Sequence, residues 1–200
     1  MVEFGPATEC EVILAFLRAE VDSSRYGEMF VLPGIASRGL SRSQLIDQAD
    51  LANAEQNAAR RAILEEYRGF GRNVALFRGF PGDVAWRRVQ IEPADHKRLR
   101  VANYPPLVKL TEGTRTVSVL ADRIPKGEIT DGPAERVEAV QKALTAGNRF
   151  PELICVEGLA DELILVEGHT RAIAYVGLRW TCNIDAFLGS SPSMQRWWLY

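Results

Sequence analysis

The chain has 200 residues, of which 46% are hydrophobic and 25% are charged, and this composition is ordinary for a globular protein of one large or two small domains. The formal net charge of −2 excludes a strong overall attraction to nucleic acid or to a membrane surface. No stretch approaches the roughly 20 consecutive apolar residues that a membrane-spanning helix needs, so we expect no membrane partner.

The first 114 residues predict a mainly helical N-terminal region with a short strand pair. Thr-Glu-Cys-Glu at 8–11 is a capping-box pattern that begins a helix over 8–21. A Ser/Gln pair at 41 and 44 begins a second, longer helix that ends near Arg68. The segments NVALF and AWRRVQI, separated by a Pro-Gly turn, predict two short strands, and Pro93 begins a short helix.

From residue 115 to residue 200 the pattern predicts a second region, a sheet domain that ends in an aromatic tail. Strands are predicted at TVSVLA, ELICVE, ELILVE and NIDAFLG. Helices are predicted from Asp131, as N-cap, to Gly147, over 169–179, and from Ser190 onward. The order β-α-β-β-α-β over 115–190 indicates a small mixed sheet with packed helices, and we assign the chain to the α/β (α+β) class.

The cysteines and histidines are few and widely spaced. Cys10, Cys155 and Cys182 form no Cys-x-x-Cys pair, which is typical of a reducing compartment and predicts a cytoplasmic protein. We interpret Cys155 and Cys182 as buried packing residues on strands. Because His96 and His169 are the only histidines, we expect no Cys/His zinc site.

The most informative motif lies where a strand ends near Glu167 and a helix begins two or three residues later. The residues between and after them are Gly168, His169, Thr170 and Arg171. The first N–H groups of a helix have no intrahelical partner and lie at the positive end of the helix dipole, so they stabilise an anion. Thr170 can donate to an oxygen, Arg171 can bind a phosphate with two N–H groups, and His169 can donate or accept.

A purely structural interpretation of the same turn stays open. Glycine and small polar residues are common between a strand and a helix, and threonine is an ordinary N-cap. Glu167 could simply form an ion pair with Arg171.

The segment 115–190 resembles the ParB/sulfiredoxin-like superfamily. In the ParB family the turn is Gly-Glu-Arg-Arg and binds the triphosphate of CTP, and in sulfiredoxins it is Gly-Cys-His-Arg and binds ATP. The turn at 168–171 shares its first and last residues with both. The segment RVEAVQKAL before FPELICVEG is similar to the sulfiredoxin helix and strand, with Arg136 in place of a lysine and Ala139 in place of a serine. Because the turn has no cysteine, sulfinic-acid reduction is not implied.

The resemblance implies a nucleotide site in which Gly168, His169, Thr170 and Arg171 hold the phosphates and Arg136 reaches them from the preceding helix. An enzyme of this kind would hydrolyse a nucleoside triphosphate or transfer its phosphoryl group, with Mg²⁺ offsetting the phosphate charge. Such chemistry often uses a carboxylate as base or metal ligand, and Glu167 is the candidate because it directly precedes the turn. The alternative role for Glu167 is a salt bridge at the strand end.

Two further functions stay open. Residues 60–100 contain ten Arg or Lys against five Asp or Glu, with aromatic rings among them, and such a segment can bind nucleic acid or serve a nuclease-like protein. The alternation of apolar and polar residues in VAWRRVQI favours a different interpretation, a strand with one face in the core and the other in solvent. The tail SMQRWWLY is expected to pack against the N-terminal region, and a protein partner or self-association through it is the alternative. In that case the chain would be a non-catalytic interaction module.

Overall fold

The computed structural model of the chain describes residues 1–23, 25–130 and 132–200 and contains a six-stranded mixed sheet flanked by helices. The strands β1 to β6 are Val2–Ala7, Ala85–Ile91, Leu99–Arg100, Leu153–Glu157, Leu163–Glu167 and Ile184–Ser190. Their spatial order is β1-β2-β6-β4-β5-β3. The pairs β4–β6 and β3–β5 are parallel, and the other neighbours are antiparallel. The predicted α/β class is confirmed.

Helices cover both faces of this sheet. The α-helices α1 to α7 are Glu9–Val21, Leu32–Ala36, Ala54–Arg68, Pro105–Leu110, Val117–Arg123, Gly132–Thr145 and His169–Gly177. Single turns of π-helix occupy Gly27–Val31 and Ser43–Asp47, and 3₁₀ turns occupy Ala75–Phe77, Pro93–Arg98, Leu159–Asp161 and Met194–Arg196. The predicted N-cap Asp131 lies outside the described residues. None of the helices in the described part of the chain combines the length and the hydrophobicity needed to cross a bilayer.

The sheet separates two hydrophobic cores. In β4 the side chains of Ile154 and Val156 face a core formed with α1, α3 and the C-terminal tail. The alternate side chains of Leu153 and Cys155 face a second core formed with α5, α6 and α7. A strand that is covered on both faces is apolar at successive positions, which explains the continuous apolar runs of β4 and β5.

The sheet also joins the two predicted regions of the chain. The strands β1, β2 and β3 precede residue 114, and they pair with each other or with β5 and β6 from the second region. The tail packs back on the first region, as expected, because the indole N–H groups of Trp197 and Trp198 donate to the carbonyls of Leu76 and Ala75 at 2.7 and 2.8 Å. Trp197 is 1% exposed and belongs to the core.

Several predicted elements are confirmed. The helix α1 begins with the expected capping box, in which the Glu11 amide donates to Thr8 Oγ1 and the Thr8 amide donates to the Glu11 carboxylate. The strands β2, β4, β5 and β6 lie where the alternating or apolar runs placed them. The helix α7 begins at His169, directly after the turn that the sequence singled out.

Other predictions were wrong, each for a physical reason. TVSVLA is not a strand but part of α5, because Val117, Leu120 and Ala121 are buried at helical spacing. The long helix predicted from Ser41 is interrupted after a single π turn, and Asn53 caps a new helix by accepting from the amide of Gln56 at 3.0 Å. The segment NVALF forms a 3₁₀ turn rather than a strand, and the helix predicted from Ser190 is only the short 3₁₀ turn near residue 195.

The predictions for the cysteines were also partly right and partly wrong. Cys155 is buried in β4, as predicted, but Cys182 is exposed before β6 begins, so its assignment as a packing residue was wrong.

Candidate functional site

The turn between β5 and α7 presents unpaired amides. The strand ends at Glu167, and Gly168 has φ 99° and ψ 19°, which reverses the chain before the helix begins. Ala172 is the first residue of the helix whose N–H donates within it, to the Gly168 carbonyl at 2.8 Å. Within the described residues the N–H groups of His169, Thr170 and Arg171 have no backbone partner, so they are available to an anion.

The glycine of this turn is required by the fold itself. A Cβ at Gly168 would lie 2.5 Å from Leu153 Cδ2 and 3.1 Å from Arg171 Nη2. The left-handed φ adds backbone strain for any other residue. The missing side chain therefore permits close packing between the turn, β4 and α7, in addition to any room that it leaves for a ligand.

Arg171 is held by the protein. Its side chain is nearly buried, with 6% of the residue exposed. The Nη1 group donates to the carbonyls of Pro151 and Glu152, and Nη2 lies 3.4 Å from Glu167 Oε1. These contacts attach α7 to the start of β4, so a ligand would meet a guanidinium that is already engaged.

All six predicted site residues line one cleft. This cleft, which we call the helix cleft, has a volume of about 320 Å³ and faces the N-terminus of α7. Its lining includes Arg25, Tyr26, Phe150, Arg136 and the residues Glu167, Gly168, His169, Thr170 and Arg171. The structure therefore brings the helix α6 residue Arg136 to the same place as the turn, although more than 30 residues separate them in the chain.

A second cleft adjoins the first. It has a volume of about 340 Å³, and we call it the tail cleft because residues of the C-terminal tail form part of its wall. Its own lining includes Arg68, Leu76, Tyr104, Leu107, Trp198 and Leu199. The two clefts share four lining residues, which are Arg25, Tyr26, Glu167 and His169. They therefore adjoin at the strand–helix turn.

The carboxylates of the helix cleft are all paired with arginines. Glu167 contacts Arg171 as described above, and Asp22 pairs with Arg42 at 2.6 Å. Glu20, which is 3% exposed, pairs with Arg68. These acids therefore do not neutralise the remaining cations of the cleft.

Arg25 and Arg136 are those remaining cations. Among the described residues neither guanidinium forms an ion pair, and the buried Nε of Arg136 has no hydrogen-bond partner. Desolvation and the neighbouring Arg25 charge lower the pKa of Arg136. The guanidinium charge is nevertheless retained at neutral pH, because arginine is protonated throughout this range. The helix cleft thus combines the free amides of α7 with two cations that have no carboxylate partner in the described part of the chain.

His169 is a neutral donor at the boundary between the clefts. Its Nε2 accepts a hydrogen bond from the Ala102 amide at 3.1 Å, so the proton of the neutral ring is on Nδ1. Desolvation lowers its pKa to about 4, which keeps the ring uncharged near neutral pH. The sequence suggested that His169 could carry charge in this range, and the enclosed position explains why it does not.

The sequence did not reveal the contribution of Tyr26, the aromatic residue that lines both clefts. The Cζ atom of Arg68 lies 3.6 Å from the centroid of the Tyr26 ring. Glu20 fixes that guanidinium and also accepts from the Tyr67 hydroxyl at 2.5 Å. The segment around Tyr26 has no periodic pattern, so the only sequence signal was its mixture of arginine and aromatic residues.

Most cations of the basic segment 60–100 are engaged within the fold, and of its exposed cations only Arg78 and Lys97 form no ion pair among the described residues. Ion pairs within the protein involve most of its arginines, namely Arg61, Arg68, Arg72, Arg87, Arg88, Arg98 and Arg100. Arg60 is fully buried and donates to the carbonyls of Leu45 and Asp50. The positive charge counted in the sequence is therefore largely used inside the fold.

A separate apolar groove of about 220 Å³ has cations that are also engaged within the fold. Its wall includes Phe4, Leu14 and Leu51. Its two arginines are engaged, because Arg18 Nε donates to the Ile46 carbonyl at 3.2 Å and Arg88 pairs with Glu11. It is therefore a weaker candidate for an anion-binding site than the helix cleft.

Metal-binding capacity is low in the described part of the chain, where no cluster of three or more His, Cys, Asp or Glu side chains occurs. In the helix cleft the carboxylates of Glu20 and Asp22 already have arginine partners. Glu167, at 3.4 Å from its arginine, is the most loosely held of the three.

Comparisons with protein-family models, with curated proteins and with solved structures gave no match for this chain. The resemblance of 115–190 to the ParB/sulfiredoxin-like superfamily therefore rests on the quoted motifs and stays a prediction.

Proposed function

We propose that the protein binds a nucleoside triphosphate and that the phosphates lie in the helix cleft. The observation that carries this proposal is that two guanidinium groups without an ion pair among the described residues, those of Arg25 and Arg136, meet the free amides of α7 in a cleft of about 320 Å³. Amides at a helix N-terminus and arginine side chains both form charge-assisted hydrogen bonds with phosphate oxygens.

The roles of the turn residues follow from their geometry. Gly168 shapes the turn, the amides of His169 and Thr170 donate to a phosphate, and the Thr170 hydroxyl, which has no hydrogen bond among the described residues, adds a donor. Arg171 holds the turn to the start of β4. Because its guanidinium is already engaged, it contributes positive charge near the phosphates but does not bind them with two free N–H groups.

The proposed chemistry is hydrolysis or phosphoryl transfer with Glu167 as the carboxylate base. Its side chain lines both clefts and directly precedes the amides that would hold the phosphates. Mg²⁺ would be bound mainly by the phosphates, as is usual for this ion, and Glu167 would be the carboxylate to contact it, because Glu20 and Asp22 are held more closely by arginines. The ion would supply charge neutralisation of the phosphates.

Thermal unfolding with ligands tests the proposal directly. The probes are inorganic tripolyphosphate and the four common nucleoside triphosphates, each with and without Mg²⁺. A ligand at about 100 times its Kd stabilises the folded state by about 2.7 kcal/mol, which raises Tm by roughly 5–10 °C for a chain of this size.

Arg136→Ala is the decisive variant because its side chain is not part of an ion pair among the described residues. We expect the affinity for triphosphate to fall roughly tenfold to a hundredfold, the loss typical of a hydrogen bond to a charged group. Lys142→Ala is the matched control, since it removes one cation from the exposed face of the same helix. Failure of every probe to stabilise the wild-type protein would reject the proposal.

A catalytic role of Glu167 is measured separately as phosphate release. Glu167→Gln should abolish turnover while triphosphate still raises Tm. Turnover that is unchanged in Glu167→Gln would remove this residue from the proposal without affecting the binding site.

A further inference from the structure

The tail cleft has a different chemical character from the helix cleft that it adjoins. Its wall is built mainly from apolar and aromatic side chains of four separate segments, among them Leu76, Tyr104, Leu107 and Trp198. The charged groups of its lining, Arg25, Arg68 and Glu167, come from the side of the turn, and two of them also line the helix cleft. The two adjoining clefts, which we call the trough, are therefore lined at one end by the cations of the helix cleft and at the other by aromatic and aliphatic side chains beside Arg68.

Two aromatic rings in this trough are held in place before any ligand arrives. Tyr26 lies against the Arg68 guanidinium, whose Nε donates to the Glu20 carboxylate. The indole N–H of Trp198 donates to the Ala75 carbonyl at 2.8 Å, and the Cζ atom of Arg78 lies 4.6 Å from its ring. Rings that are already ordered lose little conformational freedom on binding, so they suit the stacking of a flat ligand group.

We propose that the tail cleft binds the base of the same nucleotide whose phosphates lie in the helix cleft, with Trp198 and Tyr26 as its specificity-determining residues. This inference rests on the proposed function, because the phosphates fix the ligand at the α7 end. It adds the place where the base lies and the two aromatic residues that contact it.

The continuity of the clefts supports a single ligand. Tyr26, Glu167 and His169 line both, so the phosphate end and the aromatic end meet at these residues. His169 is neutral because burial lowers its pKa to about 4, and it can donate from Nδ1 to a ligand that crosses this boundary. A volume of about 340 Å³ is within the range of small-molecule sites.

Titration calorimetry with the full chain tests this inference with matched probes. Inorganic tripolyphosphate reports on the helix cleft alone, whereas ATP, GTP, CTP and UTP report on both clefts. Stacking of a base on an aromatic side chain strengthens binding by about 5- to 150-fold, so at least one nucleotide should bind that much more tightly than tripolyphosphate.

Substitutions at Trp198 separate the two ends of the ligand. Trp198→Leu should reduce the affinity for the preferred nucleotide to near that of tripolyphosphate and leave the affinity for tripolyphosphate unchanged. Trp198→Phe keeps a flat ring and should retain most of the nucleotide preference. Trp180→Leu is the matched control, since it makes the same change at a tryptophan packed on Tyr175, in the core on the opposite face of the sheet.

The outcomes distinguish this inference from the proposed function. Equal affinities for tripolyphosphate and all nucleotides would overturn the base site and leave the phosphate site standing. Equal weakening of both kinds of ligand by Trp198→Leu would also overturn it, because the tail would then act only on the fold. Binding of neither kind to the wild-type chain would overturn both.

Discussion

The basic segment 60–100 and the helix cleft both concentrate arginines, but their guanidinium groups contact different things. In the basic segment, Arg87 pairs with Glu3 and Glu157, and Arg88 pairs with Glu11. In the helix cleft, the described residues provide no carboxylate partner for Arg25 or Arg136. A count of charges along the chain would favour the first region as a ligand site, whereas the pairing in three dimensions favours the second.

The contrast has a physical basis in how cations are stabilised. A guanidinium that already has a carboxylate partner adds little to the free energy of phosphate binding, because the existing ion pair must first be broken. A guanidinium that is partly desolvated and lies near a second cation is stabilised more strongly by a bound phosphate. The lowered pKa of Arg136 reflects both conditions. For this reason the proposed site rests on the uncompensated charge of the helix cleft and not on the composition of the basic segment.

The largest effect is expected at the buried ion pair of Glu20 and Arg68, which links the wall of the helix cleft to the basic segment. Glu20→Gln leaves the Arg68 guanidinium without its carboxylate at a site where Glu20 is 3% exposed. We expect the free energy of unfolding, measured in urea, to fall by about 3–5 kcal/mol. Glu157→Gln, at the exposed pair with Arg87, is the control and should cost less than about 1 kcal/mol. Equal losses of stability in the two variants would show that the buried and the exposed ion pair do not differ in their environment.

The turn itself is tested by Gly168→Ala. The new methyl group would meet Leu153 at 2.5 Å and would require a left-handed backbone. Strain and overpacking together should lower the free energy of unfolding by about 2–4 kcal/mol, measured by urea or thermal unfolding.

Gly147→Ala is the matched control for this substitution. Gly147 has φ 86°, and a Cβ there would have no neighbour within 4 Å, so only the backbone cost of about 1–2 kcal/mol applies. If the two alanine variants lost the same stability, close packing of the turn against Leu153 would not be the reason for the glycine.

Acid should destabilise the protein through His169. Its pKa is about 4 in the folded protein and 6.5 without burial, so between these values the unfolded chain binds a proton that the folded chain does not. Stability is therefore lost as the pH falls from about 6.5 toward 4. We expect about 2 kcal/mol of this loss between pH 7 and pH 5, measured as the free energy of unfolding in urea.

Variants assign this acid sensitivity to a residue. His169→Gln keeps an acceptor for the Ala102 amide and should flatten the pH dependence. His96→Gln should flatten it less, although burial also lowers the pKa of His96. A wild-type slope that survives in His169→Gln would show that other groups carry it.

Local patterns were predictable from the sequence, and long-range pairing was not. The apolar runs of β4 and β5, the capping box of α1 and the turn after Glu167 are encoded within a few residues, so they were found. The strand β1 was missed because Gly5 and Pro6 are unfavourable in strands, and both are tolerated there in a bulged edge strand.

The site shows the same division. The sequence predicted the turn residues and Arg136, which line one cleft, but it did not predict that Arg25 and Tyr26 line it too, because they come from an irregular segment far away in the chain. The pairing of the basic segment depends on partners such as Glu157, which lies 70 residues from Arg87. No periodicity or spacing rule indicates contacts of that range.

The smallest effect is expected in the basic segment. The double variant Arg87→Ala/Arg88→Ala removes two cations that already have carboxylate partners, so we expect affinity for single-stranded DNA or RNA, measured by fluorescence anisotropy at several salt concentrations, to change less than about twofold. The double variant Arg25→Ala/Arg136→Ala should instead eliminate measurable triphosphate binding. Tight nucleic-acid binding that falls steeply with salt and is lost only in the first variant would reverse the assignment, because cations paired within the fold would then be the ones that bind phosphate.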